Sequence, residues 1–371
     1  MKPTKSGNLY RVIVLILVAT VLVCAVGFAA DGWQKSPAPD SGKTEENNGN
    51  TDENTDGGKT GGTPNKEPEE PVIYIPEFTD ALTGLETSER LAKIRPVAFV
   101  TENTQYLYGM STASLVFEFP YEGGETRYLV YQNSPEKLGK IGALGMARGY
   151  MTSVIRSFDG IAVSVGSDDP SEVRDAEGVP GLDLSRSDTF SYTENTVFRY
   201  TNGDLIAAAL SAAGISTVKT ENVSLPYDFY DFGKEPTPSG KSASTVLLPY
   251  SQTNETELYY NPDTQTYCYS KCGSRKIDTL NGKNITFGNV FLLFADATTY
   301  EKADGATTVL DTDGSGSGYY IHGGVLTEFT WKVADGKMVF IGSDGNRLKV
   351  FRGSTYISFF KSSIKKSVTV Q

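Results

Sequence analysis

Histidine and cysteine are scarce in this sequence, and their scarcity limits the chemistry that the chain can perform. The 371 residues include one histidine, His322, and three cysteines. A structural zinc site takes four ligands, mostly from cysteine and histidine, so this inventory predicts no metal site and no cofactor. A Ser-His-Asp triad would have to use His322. Because His322 precedes Gly323-Gly324, which predicts a turn, we interpret it as a surface residue.

The cysteines are too few for a disulfide framework. Cys24 lies in an apolar segment, and only Cys268 and Cys272 belong to the part that is predicted to fold. In an extended strand their Cα atoms would stand about 13 Å apart, which is too far for a disulfide. A bridge would require the chain to turn at residues 271–274, and an oxidising location would then favour it. A disulfide and two free thiols therefore both stay open.

Positive charge is in deficit. The chain has 34 Lys and Arg residues against 45 Asp and Glu residues, a formal net charge of −11 at pH 7. No run of basic residues interleaved with aromatic residues occurs. Because nucleic-acid-binding surfaces depend on basic patches, we exclude nucleic acid as a partner.

One long apolar segment is present near the N-terminus. Residues 12–30 carry no charge over nineteen positions and follow Lys2, Lys5 and Arg11. A helix of this length spans about 28 Å, close to the hydrocarbon thickness of a bilayer. Positive charge favours the cytoplasmic side, so the segment predicts a single-pass transmembrane helix in the cell membrane with the globular part extracytoplasmic.

Two other interpretations of the apolar segment stay open, and both also export the chain. Gly27-Phe28-Ala29 places small residues at a cleavage position, which is typical of a signal peptide. Cys24 is the candidate for lipid attachment, although Val23 stands where a lipoprotein signal has a small residue.

Residues 31–75 have the composition of a disordered acidic linker. They contain ten acidic residues, four lysines and almost no large apolar side chains. Such a segment buries too little surface to offset the entropy of ordering it. About 45 flexible residues span roughly 35–40 Å, so we predict a tether that holds the globular part away from the membrane.

The next region, residues 76–240, mixes helix and strand signals, which predicts an α+β or α/β domain with a mixed sheet. The helix signals are a start at residues 87–90 that must end before Pro96, segments at 135–141 and 148–158, and a helix capped by Asn202 and terminated at Gly214. The strand signals are residues 97–100, 114–119, 126–132 and 161–165.

Residues 241–363 alternate strand signals with turn pairs, which predicts a mainly antiparallel β domain, and residues 364–371 form a tail. The turn pairs are Cys272-Gly273, Asn281-Gly282, Gly323-Gly324, Asp335-Gly336 and Asp344-Gly345. Residues 311–316 begin like a calcium loop, but His322 occupies the twelfth position where a glutamate is needed. We interpret this loop as a glycine-rich connection between strands.

A polar cluster at or near the ends of predicted strands is the candidate ligand-binding site. Its members are Glu102, Asn103, Glu118, Glu122, Arg127 and Arg148. Glu118 and Glu122 could face the two arginines across one edge of the sheet. Paired carboxylates are what a glycosidase needs, and they are equally what a buried ion-pair network contains. A site for an anionic or sugar-like envelope component and a structural network both stay open.

Segments in both predicted domains resemble one known family. The matching segments are 82–84, 95–98, 102–103, 114–118, 122–129 and 141–142, then Tyr260-Asn261-Pro262-Asp263-Thr264, Gly316-Ser317-Gly318-Tyr319 and Thr330-Trp331-Lys332. On these segments the chain resembles the YerB-type lipoproteins of Gram-positive bacteria, two-domain proteins of unknown function. The resemblance implies attachment to the envelope and no established catalytic activity.

The chain departs from this family at polar positions. The family's Arg-Ser-Ala-Arg run corresponds to Gly145-Met146-Ala147-Arg148, and one family histidine corresponds to Ser164. If those positions form a catalytic site elsewhere, this chain lacks most of it. The leading hypothesis is a membrane-tethered, non-enzymatic protein that binds a cell-wall component or a surface protein. The alternative is a cell-wall-active hydrolase or transferase that uses Glu118 or Glu122.

Overall fold

Strands predominate in the part of the chain that the structure describes. The computed structural model describes residues 73–167, 179–194, 197–219, 224–302 and 305–371. The predicted anchor at residues 12–30 and nearly all of the predicted linker lie outside these ranges. Within them, no helix is both long enough and apolar enough to cross a membrane.

The N-terminal part contains short helices and a set of strands. The helices are α1 (Glu89–Ala92), α2 (Thr152–Ser157) and α3 (Gly203–Ala212), with 3₁₀ turns at Met110–Thr112, Glu122–Gly124, Pro135–Lys137 and Gly149–Met151. The strands are β1 (Val97–Glu102), β2 (Leu115–Pro120), β3 (Thr126–Gln132), β4 (Ile141–Leu144), β5 (Ile161–Ser164), β6 (Gly181–Asp183), β7 (Tyr192–Glu194), β8 (Phe198–Thr201) and β9 (Asp228–Phe229).

Local capping signals explain where the helices begin and end. The Ser88 side chain accepts a hydrogen bond from the Leu91 amide, and the Asn202 side chain accepts one from the Leu205 amide. Gly214 has a φ of 66°, as a terminating glycine should. The helix predicted over 135–141 is wrong: one 3₁₀ turn is followed by β4, because pairing of β4 with β1 and β8 outweighs the local helix preference.

The C-terminal part is almost entirely strand and turn, with one 3₁₀ segment at Ser362–Ser367. Its strands are β10 (Lys241–Ser242), β11 (Thr245–Ser251), β12 (Asn254–Asn261), β13 (Thr266–Lys271), β14 (Ser274–Arg275), β15 (Thr286–Phe287), β16 (Asn289–Ala295), β17 (Ala297–Lys302), β18 (Gly305–Leu310), β19 (Ser315–His322), β20 (Val325–Ala334), β21 (Lys337–Ile341), β22 (Lys349–Val350), β23 (Thr355–Lys361) and β24 (Thr369–Val370).

Most neighbouring strands of this part are antiparallel, as predicted. The turn pairs Cys272-Gly273 and Asp335-Gly336 form hairpin turns between them. Cys272 and Gly273 have φ values of 50° and 74°, and Asp335 and Gly336 have 52° and 72°. Two consecutive left-handed residues are typical of the type I′ turn, whose twist matches that of the flanking strands. The mixed sheet predicted for the N-terminal part is also confirmed, because β1 is antiparallel to β3 and parallel to β5.

The two parts share one sheet. Strand β23 runs parallel to β2 on one side and parallel to β16 on the other. The central sheet therefore has the order β10-β20-β19-β16-β23-β2-β3-β1-β4-β8-β7, and a second sheet has the order β14-β13-β12-β11-β24. The boundary predicted near residue 240 thus separates two sequence regions whose strands are hydrogen-bonded to each other.

Both faces of the central sheet are covered. Alternate residues such as Phe117 and Phe359 pack into one core together with α2, whereas Val116 and Tyr356 pack into another core with the second sheet. Strands that are buried on both faces read as continuous apolar runs rather than as alternating ones. This explains why β2, β16 and β23 show such runs in the sequence.

Only glycine fits at position 316 of β19, because atoms of the neighbouring strands lie close to its backbone. A Cβ at this position would lie 2.1 Å from the Phe294 carbonyl oxygen and 2.7 Å from the Trp331 indole nitrogen. We expect Gly316→Ala to lower the free energy of unfolding by about 1–3 kcal/mol, because the backbone of β16 must move. Denaturant titration measures the change, with Gly139→Ala as the control because no atom lies within 4 Å of a Cβ there. Equal stability of the two variants would contradict this account.

Candidate functional site

Glu118 lies in the middle of β2 and points away from solvent into the core between the two sheets. The residue is 0% exposed. Its carboxylate is ion-paired with the Lys271 ammonium of β13 and accepts hydrogen bonds from the Tyr356 hydroxyl (2.6 Å) and the Thr256 hydroxyl (2.9 Å). The Tyr269 hydroxyl donates a further bond at 3.2 Å. Glu118 is therefore a fully satisfied buried carboxylate.

The surroundings of Glu118 keep it ionised. Burial raises the pKa of its carboxyl group, but the Lys271 charge and the hydrogen bonds from Lys271, Tyr356 and Thr126 outweigh burial, so the net pKa lies below the ordinary value. Burial raises the pKa of the Tyr356 hydroxyl, and the nearby Glu118 charge raises it further. The tyrosine thus stays a hydrogen-bond donor to the carboxylate.

Asn103 is connected to Glu118 through two tyrosines. The Tyr128 hydroxyl lies 2.7 Å from the Tyr269 hydroxyl and 3.1 Å from the Asn103 side-chain oxygen. A line of polar atoms within hydrogen-bonding distance of one another therefore leads from the end of β1 to the buried carboxylate. We call Glu118, Lys271, Thr256, Tyr269 and Tyr356, with Tyr128 and Asn103 attached, the Glu118 network.

The remaining predicted site residues form a separate cluster around Tyr121. Arg127 makes two hydrogen bonds to Glu102, at 2.6 and 3.2 Å, and Arg148 pairs with Glu122 at 2.7 Å. The guanidinium carbons lie 3.7 Å (Arg127) and 4.4 Å (Arg148) from the centre of the Tyr121 ring. Because both arginine side chains are less than 10% exposed, this Tyr121 cluster is mostly covered.

The structure thus divides the six predicted site residues between two places. Glu102, Glu122, Arg127 and Arg148 come together at Tyr121, whereas Glu118 and Asn103 belong to the Glu118 network. The separation follows from strand geometry, because Glu118 is opposite Tyr128 and Phe119 is opposite Arg127 in the β2–β3 register. Side chains alternate between the faces of a sheet, so Glu118 and Arg127 point to opposite faces.

The two cysteines of the folded part are free thiols. Cys268 is buried in the extended strand β13, and Cys272 is exposed in the turn that follows. The Cys272 sulfur lies 3.3 Å from the Thr253 carbonyl oxygen, to which its thiol donates a hydrogen bond. Over the ranges that the structure describes, no group of three or more His, Cys, Asp or Glu residues is arranged to hold a metal ion.

A cleft around His322 is the feature that sequence reasoning missed. It has a volume of about 450 Å³ and lies between residues 236–239, the β19–β20 hairpin and the turn at residues 342–349. Four rings follow one another along it: Tyr230 lies 5.0 Å from Phe351, Phe351 lies 4.0 Å from His322, and His322 lies 6.4 Å from Tyr320, each between ring centres. We call this the His322 cleft.

The proton of His322 has a defined position. Its Nδ1 lies 2.9 Å from the Gly288 carbonyl oxygen and 3.1 Å from the Asn289 side-chain oxygen. The Asn289 amide group is oriented, because its nitrogen donates to the Phe351 carbonyl and its oxygen accepts from the Tyr320 hydroxyl. Since both neighbours of Nδ1 are acceptors, neutral His322 carries its proton on Nδ1 and leaves Nε2 as an acceptor. Burial lowers the pKa of His322, and its bond to Gly288 opposes this in part.

These features define a β-rich protein in which two consecutive sequence regions share a central sheet and a buried ion-pair network. Both regions match protein families of unknown function: residues 82–216 match the DUF3048 N-terminal domain, and residues 246–357 match the DUF3048 C-terminal domain. The chain therefore belongs to the DUF3048 family, in agreement with the resemblance seen in the sequence.

Two comparisons extend this assignment. The chain is 28% identical over 291 residues, 75% of its length, to the Bacillus subtilis (strain 168) protein named "Putative lipoprotein YerB", 84% of which is covered. The crystal structure of the YerB protein from Bacillus subtilis matches with a TM-score of 0.68 at 23% identity, covering 80% of this chain and all of the other. The structural match shows that the fold is shared.

Breaking the Glu118–Lys271 pair should strongly destabilise the fold, because it leaves one buried charge without a partner. In Glu118→Gln the buried Lys271 ammonium loses its counter-charge, so we expect the free energy of unfolding to fall by about 3–5 kcal/mol. The double variant Glu118→Gln/Lys271→Met should lose less than the sum of the single changes, because it removes both charges. Denaturant titration of the three variants measures this, and Glu89→Gln is the control, since Glu89 pairs with Lys93 on the surface.

The effect of Glu118→Gln on the free energy of unfolding should depend on pH. Because the pKa of Glu118 is lower in the folded state, its contribution is present above the unfolded value of about 4.3 and is lost as the pH falls through the folded pKa. The stability difference between the wild type and Glu118→Gln should therefore shrink below about pH 4. A difference that is independent of pH would contradict an ionised Glu118.

Proposed function

We propose that this protein is attached to the cell envelope, works outside the cytoplasm and binds a cell-wall component without cleaving it. The proposal rests on which polar groups are already paired inside the protein and which are open to solvent. Glu118 is buried in an ion pair, and Glu102 and Glu122 are each paired with a buried arginine. The His322 cleft, by contrast, is open to solvent and combines aromatic rings with polar groups, as binding pockets do.

Attachment to the membrane is supported by the name of the Bacillus relative and by the apolar segment at residues 12–30. We propose that this segment is retained as a single membrane-spanning helix and that residues 31–75 tether the globular part outside. A lipid on Cys24 would achieve the same location by another attachment. The mass of the mature N-terminal peptide distinguishes a retained, a cleaved and a diacylated segment.

The paired-carboxylate alternative fits the geometry less well. A glycosidase needs one carboxyl group that is protonated and a second one that faces the same bond. The surroundings of Glu118 lower its pKa, and Glu118 is completely buried. Glu122 lies in the Tyr121 cluster and is held by Arg148, so the two carboxylates do not share a substrate-accessible space.

Wall binding is tested with the full chain in mild detergent and purified peptidoglycan from a Gram-positive bacterium. We expect the protein to sediment with the wall and to release no soluble fragments, and we expect Glu122→Gln to behave in the same way. Soluble fragments that disappear with Glu122→Gln would contradict the non-enzymatic proposal. Failure to sediment would exclude wall binding, and cross-linking in intact cells would then identify a protein partner.

A further inference from the structure

The His322 cleft differs from the two polar networks because it leaves hydrogen-bonding atoms available. The Nε2 atom of His322 has no hydrogen-bond partner among the described residues, although Nδ1 has two. The Tyr320 hydroxyl bonds to Asn289 and to the Phe351 amide, which fixes the rings behind His322. The cleft is therefore lined by a rigid stack of aromatic rings with one free acceptor nitrogen.

The charges at the rim of the cleft balance one another. Arg347 is paired with Asp228 at 2.9 Å, and Glu328 is paired with Lys241 at 2.8 Å. Asp344 accepts hydrogen bonds from the backbone and side-chain nitrogens of Asn346, both at 3.0 Å. The other two charged residues of the lining, Asp344 and Lys349, carry one charge of each sign. A phosphate or a cation would find no surplus of opposite charge here, so the cleft suits an uncharged ligand.

The volume and the lining residues of the cleft restrict the class of ligand further. A cleft of about 450 Å³ accommodates a ligand of one or two sugar rings. Sugars present a flat face of C–H groups, which packs on aromatic rings, and an edge of hydroxyl groups, which donate and accept hydrogen bonds. Beside the rings, the cleft carries the hydroxyl groups of Thr237, Ser239, Thr327 and Ser343. These hydroxyls and His322 Nε2 match the hydrogen-bonding capacity of such an edge.

We propose that the His322 cleft binds a neutral saccharide, with the sugar ring against the aromatic lining and a sugar hydroxyl donating to His322 Nε2. This proposal rests on the proposed wall-binding function and names its site and its ligand class. It assigns no chemical step to the cleft, because the neutral histidine acts only as a hydrogen-bond acceptor.

The test uses the full chain in mild detergent and N,N′-diacetylchitobiose, an uncharged disaccharide, with binding measured by calorimetry. We expect saturable binding with a Kd of about 1 mM or tighter. Thr327→Trp places a bulky ring in the cleft and should weaken binding at least about tenfold, whereas Thr330→Trp makes the same change at an exposed position of the same strand that does not line the cleft. Thr330→Trp should bind like the wild type.

A second variant tests the acceptor itself. His322→Phe keeps a flat ring against Phe351 and removes Nε2, so binding should weaken about two- to tenfold, as expected for one hydrogen bond. Thermal unfolding of each variant shows whether it is folded. If His322→Phe does not fold, Thr327→Trp and Thr330→Trp still decide the proposal.

Three results would overturn the proposal. These are the absence of saccharide binding, equal binding by Thr327→Trp and the wild type, and displacement of the saccharide by a neutral tetrapeptide that binds more tightly. If the saccharide does not bind but the protein still sediments with peptidoglycan, the wall-binding function stands and only the cleft assignment fails. If neither occurs, both proposals are wrong.

Discussion

The ion pair between Glu118 and Lys271 lies where the two sequence regions of this protein meet. Glu118 comes from β2 of the N-terminal region, and Lys271 comes from β13 of the second sheet. A charge buried to this extent is stable only when it is paired and hydrogen-bonded. The position of the second sheet over the central sheet is therefore constrained, because a shift of either one would leave an ammonium or a carboxylate without its partner.

Strand β23 also holds the two sequence regions together, through backbone hydrogen bonds. It lies between β2 and β16, so the central sheet is continuous across the boundary between the two family domains. Tyr356 of this strand donates to Glu118, which connects the backbone pairing to the buried charge. The Glu118 network therefore serves to join the two regions, which leaves the His322 cleft at the surface as the better candidate for recognition.

Features with local signals could be predicted from the sequence. The cap at Asn202, the hairpin at Asp335-Gly336 and the buried strand at Leu115–Pro120 each depend on a few adjacent residues, and the structure contains all three. The face of each polar residue was also available from the two-residue period of a strand. In β2 and β3, that period places Glu118 and Arg127 on opposite faces of the sheet. The position of both residues near strand ends does not by itself show this.

Features that depend on distant pairing could not be predicted in this way. The pairing of β2 with β23 joins residues about 240 positions apart, and no local pattern encodes it. The His322 cleft is assembled from three separated segments, and the Gly323-Gly324 pair by itself indicates only that His322 lies beside a surface turn. The turn is present, but His322 itself ends β19 and stacks on Phe351 from another segment.

If the Glu118 network joins the two family domains, they should open as one cooperative unit. Hydrogen exchange at increasing denaturant measures the opening free energy of each strand. We predict that amides of β2 and β13 exchange with the same opening free energy in the wild type, and that Glu118→Gln lowers this value for both. Opening of β13 at a much lower free energy than β2 in the wild type would contradict it, because the two regions would then be independent.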